Sequence, residues 1–368
     1  MFPEIKKNFG FGCMRLPLLE NGDVNNEEFT KMVDAFIGAG FNYFDTAHGY
    51  LSGKSEIALR ECLTSRHDKS EYLLANKLSH NFFEKEADIR PFFESQLAIC
   101  GVDYFDFYLM HAQNSRYYEK YQACRAYETA YELKREGKIR HLGMSFHDTA
   151  AVLDKILTEK PFIEFVQIQL NYLDMEDAGV QSRLCYEVCR KHGKPVLVME
   201  PVKGGRLVKL PAEAGALYDA LGGGSYASYA IRYAASFEGV VMVLSGMSDM
   251  AQMNDNLSYM KDFRPMNDEE YAVTAKVCSI LRRQDMIACT ACRYCEDGCP
   301  KKIAIPDLFT CLNDVHTNTG DPKKAYAAFT ENRGKASDCI SCGKCERVCP
   351  QKLRIRTHLK AVAKAFDI

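Results

Sequence analysis

Short apolar runs alternate with longer amphipathic segments from Phe9 to about Asp262. The runs are Phe41–Thr46, Tyr72–Lys77, Phe105–His111, Ile139–Ser145, Phe165–Asn171, Pro195–Pro201 and Val240–Gly246. Their near-continuous apolar character suits strands buried on both faces. The intervening stretches read as helices. Asn26–Ala39 sets Phe29, Val33 and Phe36 on one stripe, and Tyr127–Arg135 and Val180–His192 repeat the pattern. Strand, helix, strand repeated this often implies parallel pairing with helices outside. The length suits an eight-fold (β/α) barrel better than an open sheet.

Polar residues gather at the C-terminal ends of the expected strands: Asp45, Lys77, His111, Ser145, Asn171, Glu200 and Ser245. Barrels place their active sites on that face. Glycines punctuate the later loops at Lys203–Arg206, Gly222–Ser225 and Leu244–Met247.

After Arg264 the pattern changes. The expected order is a helix over Asp268–Arg282, a cysteine run, a helix over Ile305–Val315, a loop at His316–Pro322, a helix over Lys323–Phe329, a second cysteine run and a basic helical tail over Lys352–Phe366. The expected division is residues 1–265 as a (β/α)8 barrel and 266–368 as a smaller helical, cysteine-bearing domain.

The two cysteine runs carry the most specific chemistry. Cys289, Cys292, Cys295 and Cys299 precede Pro300; Cys339, Cys342, Cys345 and Cys349 precede Pro350. This C-x2-C-x2-C-x3-C-P run is that of bacterial ferredoxins, in which the last Cys of each run serves the other cluster. The expectation is two [4Fe–4S] clusters. Cys289, Cys292, Cys295 and Cys349 hold one; Cys339, Cys342, Cys345 and Cys299 hold the other. Zinc and disulfides are the competing readings, but zinc usually pairs two C-x2-C knuckles. The other cysteines, Cys185 and Cys189 among them, read as small buried hydrophobes.

Composition adds exclusions. A net charge of −2 gives no reason to invoke nucleic acid or an anionic membrane. No long apolar run spans a bilayer, and the first residues lack an apolar secretory core, so a cytoplasmic location is expected.

Gly40–Leu63, GFNYFDTAHGYLSGKSEIALRECL, resembles the signature of the aldo-keto reductases, and LLANK, FDFYLMH, EGKIRHLGMS and LSGMSDMAQMNDNL follow in that family's order. The resemblance covers roughly three-quarters of the chain, and the whole chain resembles a subgroup carrying a C-terminal ferredoxin-like domain. It implies a (β/α)8 barrel with a catalytic tetrad of Asp45, Tyr50, Lys77 and His111. In that tetrad Tyr50 is the proton donor, Lys77 lowers its pKa, Asp45 holds Lys77 and His111 orients a carbonyl. His48 and His147 are further candidates for shaping the pocket, as are Phe82, Phe83, Tyr117 and Tyr118.

For a nicotinamide cofactor the resemblance implies Ser145, Gln167, Asn171, Met199, Lys203, Gly204, Ser245, Gly246, Ser248, Gln252 and Asn256. The chain departs from the family here. Phe146 stands where Asn is usual, Met199 replaces a stacking aromatic, and Ser248 beside Asp249 replaces the Arg that reads a 2′-phosphate. NAD(P)H is therefore implied with a weak 2′-phosphate site, and flavin is open. A nicotinamide gives two electrons together, whereas a cubane passes one. Three functions follow. One is a carbonyl or alcohol oxidoreductase whose clusters exchange electrons with a ferredoxin or flavoprotein. The others are an NAD(P)H reductase with structural clusters, and an electron-transfer protein with a non-catalytic barrel.

Overall fold

The structure is a computed structural model that describes residues 2–283, 286–317 and 320–367. Eight parallel strands close into a barrel: β1 (Phe9–Gly12), β2 (Tyr43–Asp45), β3 (Leu73–Leu78), β4 (Phe105–Gln113), β5 (Ile139–Phe146), β6 (Phe165–Gln169), β7 (Val196–Met199) and β8 (Val240–Ser245). Each strand pairs with the next, and β1 pairs with β8 at Phe9↔Val243 and Gly10↔Leu244 to close the ring. The interior is filled by Tyr43, Leu73, Ala75, Phe107, Leu109, Phe165, Leu197, Met242 and Leu244, two residues apart where one strand gives two.

β1 is not among the apolar runs, because its sequence is Phe-Gly-Phe-Gly. Phe9 and Phe11 are fully buried among Phe29, Phe36, Phe41 and Phe44. Gly10 takes the inward position: a Cβ there would lie 2.7 Å from Leu244 and 2.8 Å from Met242. Gly143 in β5 does the same for Phe165, whose ring would be 2.4 Å from an added Cβ. Gly143→Ala is expected to lower stability by about 1–3 kcal/mol, since the ring has no free space to enter. A urea unfolding midpoint would show it.

By packing the chain divides into two units. One comprises Met1–Pro201 and Ala227–Tyr271. The other comprises Val202–Tyr226 and Ala272–Ile368, so the segment that follows β7 in sequence packs with the C-terminal part. Helices run over Asp268–Arg283, Ile305–Thr317, Pro322–Thr330 and Ile355–Phe366. Pro322 opens its helix because Asp321 accepts from the Lys324 N–H. Of the expected loop His316–Pro322, residues 318 and 319 lie outside the described residues. Ile303, Ile305, Leu308, Phe309, Tyr326, Ile355, Leu359 and Val362 are buried in one core in this unit.

The cysteine repeat extends into backbone conformation at a spacing of fifty residues. Ala291 and Arg293 take left-handed φ of 51° and 64°, and Ser341 and Gly343 take 55° and 73°. Lys302 and Lys352 both have φ 50°. Short helical turns match at Tyr294–Asp297 and Lys344–Arg347, and longer helices start at Ile305 and Ile355.

Candidate active site and cysteine cavities

The tetrad residues come from β2, β3, β4 and the loop after β2. Asp45 ends β2, Lys77 lies near the end of β3, and His111 lies near the end of β4. Tyr50 opens a tight turn in which Leu51 and Ser52 both hold left-handed φ, 52° and 57°, an arrangement costly for residues with a Cβ. Gly53 absorbs the third such φ, 90°, and starts the helix Lys54–Leu59.

Lys77 Nζ donates to Asp45 Oδ1 at 2.6 Å and to the Thr46 carbonyl at 2.7 Å, with both side chains buried. The ammonium lies 4.9 Å from the centroid of the Tyr50 ring, and that ring meets His111 edge-on at 6.0 Å between centroids. Asp45, Tyr50, Lys77 and His111 thus share one corner of the barrel's C-terminal face. Burial raises the Asp45 carboxyl and lowers the Lys77 ammonium, each partly offset by the other's charge.

The Tyr50 phenol is pushed well above its ordinary value, by burial first and then by the negative charge of Asp45. Asp45 pairs with the ammonium that faces the ring. Arg15 opposes the shift and Glu200 adds to it.

His111 accepts or donates at Nδ1 to Ser79 Oγ, 2.5 Å away. The neighbouring Ala112 holds φ 52°, and its N–H donates to Ser145 Oγ at 2.8 Å. Burial, then the Lys77 charge, keeps the His111 ring pKa well below its ordinary value. If Ser79 donates to Nδ1, the neutral ring presents Nε2–H to an incoming oxygen.

His48 behaves oppositely. Its Nδ1 meets Glu56 Oε2 at 2.6 Å, and this hydrogen bond raises its pKa. Glu56 is fully buried and also accepts from Asn76 and Gln96. The unfolded rings titrate near ~6.5. His48 therefore contributes stability that is fully present below that pH and is lost as pH rises through its raised folded value. His111 withdraws stability as pH falls through ~6.5, because only the unfolded ring then takes up the proton. Ring-carbon NMR should show His48 still protonated above pH ~6.5 and His111 still neutral below it.

The cofactor candidates divide. Gln167 is buried, opposite Ser145 across β5 and β6, and its Oε1 has no hydrogen-bond partner among the described residues. Such an acceptor fits a carboxamide N–H. Asn171 donates to Asp174 Oδ2 and the Glu200 carbonyl, and accepts from the Leu173 and Asp174 N–H groups, so it ties its own loop. Met199 is partly exposed at the end of β7.

Ser245 Oγ accepts from Asn256 at 2.9 Å, and Gly246 follows it with room for a Cβ. Ser248 Oγ donates to the Arg15 carbonyl, and its N–H to Gln252 Oε1. The helix Met250–Met260 begins here, where a phosphate would gain most from free N–H groups. Two carboxylates already use them: Asp249 accepts from the Gln252 N–H at 2.8 Å and Glu28 from the Met250 N–H at 3.1 Å. Both carboxylates place negative charge at this end of the helix. Glu28, Arg15, Ser79 and Glu200 were not read as site residues. Only Glu200 carried a signal, its place at a strand end; Glu28 lies 222 residues from the N–H it caps.

Lys203 and Gly204 lie in the second unit. Lys203 is buried and its Nζ donates to Gln351 Oε1 at 3.1 Å. A Cβ on Gly204, φ 65°, would lie 2.4 Å from the Thr290 carbonyl oxygen. Gly204→Ala should therefore force the loop holding Cys289 and Cys292 to move. The expected result is faster iron loss to a chelator than in the parent protein.

The eight cysteines of the runs border two hollows. Cys289, Cys292, Cys295 and Cys349 line one of about 320 Å³, with Thr290, Arg293 and Gln351. Cys299, Cys339, Cys342 and Cys345 line the other, of about 340 Å³, with Lys301, Ile340, Lys344 and Arg356. Both volumes include open solvent at the mouth. Among the described residues no three His, Cys, Asp or Glu side chains converge as a single ion requires. Four thiols around each hollow suit a multi-atom cluster. Burial raises the Cys295 thiol, with Cys292, Cys289 and Cys349 adding to it, and Cys345 is pushed up to about 11. Iron would offset this by holding the thiolates. The Ala291 N–H donates to Cys289 Sγ at 3.4 Å. The eight other cysteines are all buried. No helix among the described residues is long and apolar enough to cross a membrane.

Barrel, strand-end cluster and paired cysteine runs define a two-part redox architecture. The Aldo/keto reductase family model matches residues 8–278, and a 4Fe-4S dicluster domain matches residues 288–353. The chain belongs to the aldo/keto reductase family and carries a C-terminal 4Fe–4S dicluster domain. It is 30% identical over 165 residues to a probable NAD(P)H-dependent D-xylose reductase of Aspergillus terreus, covering 43% of this chain and 49% of that one. An aldo-keto reductase of a Mycobacterium species is 31% identical over 119 residues, 32% of this chain and 41% of that protein. These matches thus span half or less of the relatives' length. The holo form of an aldo-keto reductase from Bacillus halodurans superposes with a TM-score of 0.60 at 24% identity, covering 73% of this chain and 91% of that one. A Klebsiella pneumoniae aldo-keto reductase in complex with NADPH gives 0.60 at 18% identity, over 73% and 90%. At these identities the superpositions show the fold.

Proposed function

We propose that this chain reduces a small-molecule carbonyl, or oxidises the corresponding alcohol, at Asp45, Tyr50, Lys77 and His111. In this reading its two clusters exchange electrons with a ferredoxin or flavoprotein. The observation that carries the reading is the meeting of the Tyr50 ring with the buried Lys77–Asp45 pair on one side and His111 on the other.

Carbonyl reduction takes two electrons at carbon and oxygen and two protons. Neutral His111 holds the carbonyl oxygen by a hydrogen bond and adds no positive charge that would need neutralising. Tyr50 stays protonated at working pH because its pKa is raised. It gives up the proton only as the oxygen gains alkoxide character, a far stronger base than a phenolate. The Lys77–Asp45 pair fixes the ring's position and faces the charge that develops on it.

A bound nicotinamide or flavin would supply the hydride, and clusters, which pass single electrons, would load or unload that two-electron carrier in two one-electron steps. Gln167, with Ser145, would hold the carboxamide. The carboxylates of Glu28 and Asp249 favour a carrier without a 2′-phosphate. The residues that would hold the clusters are Cys289, Cys292, Cys295 and Cys349 for one and Cys339, Cys342, Cys345 and Cys299 for the other.

A structural role for the clusters is the second reading, favoured by the packing of Thr290 on Gly204, which ties the first cysteine loop to Val202–Tyr226. Anaerobic turnover of a carbonyl panel separates the two. Reduced ferredoxin or reduced methyl viologen should drive the reaction in the holoprotein and fail after cluster removal. NADH-driven turnover that survives cluster removal unchanged would favour the structural reading.

A further inference from the structure

The two cysteine copies are equivalent in backbone but not in surface. Thr290, between the first two cysteines of the first run, is 1% exposed; its counterpart Ile340 is 59% exposed. Cys342 is exposed, whereas its counterpart Cys292 is partly covered. The first run's loop is covered within its own unit by Gly204, against the Thr290 backbone. Ile340, by contrast, is left open to solvent.

Charge follows the same asymmetry. Residues 333–360 carry eight Lys and Arg against two Asp and Glu, a net of +6. The equivalent window fifty residues earlier, 283–310, carries four of each and is neutral. In the first copy Arg293 is held by Asp307 at 2.6 Å and Glu296 at 3.2 Å. At the second hollow Arg356 pairs with Glu346, and Lys301 and Lys344 line it as well, whereas Arg293 is the one cation among the described residues that lines the first. Arg347 is exposed on the same short turn as Lys344. The chain as a whole is −2, so this is a local concentration of positive charge against an acidic background.

We infer that the face around Ile340, Cys342, Lys301, Lys344 and Arg347 is the docking surface for an acidic one-electron carrier protein. An exposed apolar residue on the same hollow as Lys301 and Lys344 suits a small, short-lived interface. Charge steers the encounter there, and an apolar contact excludes water over the closest approach. A weak electron-transfer encounter buries little area, so one large aliphatic side chain and a few cations suffice. The inference rests on the relay reading above and names its partner and its point of entry.

The test is binding of an acidic [2Fe–2S] ferredoxin to the anaerobic holoprotein by biolayer interferometry. The holoprotein should bind, and raising NaCl from about 0.05 M to about 0.3 M should weaken binding at least about tenfold. A variant combining Lys301→Glu, Lys344→Glu and Arg347→Glu should weaken it by a similar factor, with cluster absorbance retained. Should that variant lose its absorbance, Ile340→Asp and the parent's salt dependence decide in its place. Absence of binding at about 0.1 mM carrier, or binding indifferent to both salt and charge reversal, overturns the inference. So does tighter, equally charge-dependent binding of a single-stranded RNA oligonucleotide, or self-association through this face. Turnover driven by reduced methyl viologen is measured in parallel. If viologen works and the carrier does not bind, the docking surface fails and the relay stands; the reverse outcome removes the relay.

Discussion

Tyr50→Phe is expected to lower kcat/KM for carbonyl reduction by about 10²–10⁴-fold, the range for losing a positioned general acid. The loss should fall mainly on kcat. The ring would remain against Lys77 and His111, so substrate binding changes little. Only the hydroxyl is removed, and the variant should keep its cluster absorbance and its urea midpoint close to the parent's. Steady-state kinetics with any carbonyl that the parent reduces gives the answer. Turnover within a factor of a few of the parent would assign the barrel a role other than proton donation. Lys77→Met offers a harsher check at the same corner. It leaves the Asp45 carboxylate buried without its cation, at a cost of about 3–5 kcal/mol, so its loss of activity would be mixed with loss of fold.

The second large effect concerns which thiols share a cluster. Cys349 sits with Cys289, Cys292 and Cys295, and Cys299 with Cys339, Cys342 and Cys345. Cys349→Ala should lower iron from about eight to about four atoms per chain. Adding Cys295→Ala to it should cost no further iron, because both thiols serve one hollow. Adding Cys339→Ala instead should remove the remainder. If each run held its own cluster, the first pair would strip both clusters and the second pair only one. Iron and sulfide content after anaerobic reconstitution distinguishes the two patterns without reference to catalysis.

Much of the barrel was legible along the chain. Tyr72–Lys77, Phe105–His111 and Val240–Gly246 were read as strands, and the structure has them at Leu73–Leu78, Phe105–Gln113 and Val240–Ser245. The helix boundaries at Asn26, Asp268 and Ile305 also coincide. Buried parallel strands leave a strong apolar signal, and amphipathic helices leave a periodic one. β1 left neither, because Gly10 is inside the barrel only to make room for Met242 and Leu244. That reason belongs to its neighbours and cannot be seen in its own residues.

At the site, the order of Asp45, Tyr50, Lys77 and His111 could be read from motif order, and the phenol's environment could not. How Lys77 meets Tyr50 depends on where Asp45 sits, and Asp45 lies 2.6 Å from the ammonium. The end of the helix Met250–Met260 shows the same limit. Ser248 and Asp249 weaken a phosphate site in the sequence itself, whereas Glu28 reaches the same end from the first helix of the barrel.

By itself the sequence determined the barrel's alternation, the family and the eight cysteines in two runs, because periodicity and ligand spacing are local properties of a chain. Only the tertiary structure decided the rest. It set which thiols face one hollow, which carboxylate cancels which ammonium, which glycines are inside and which copy of the repeat is covered. Each of these turns on distances between residues tens to hundreds of positions apart, and burial makes the energies of such meetings large.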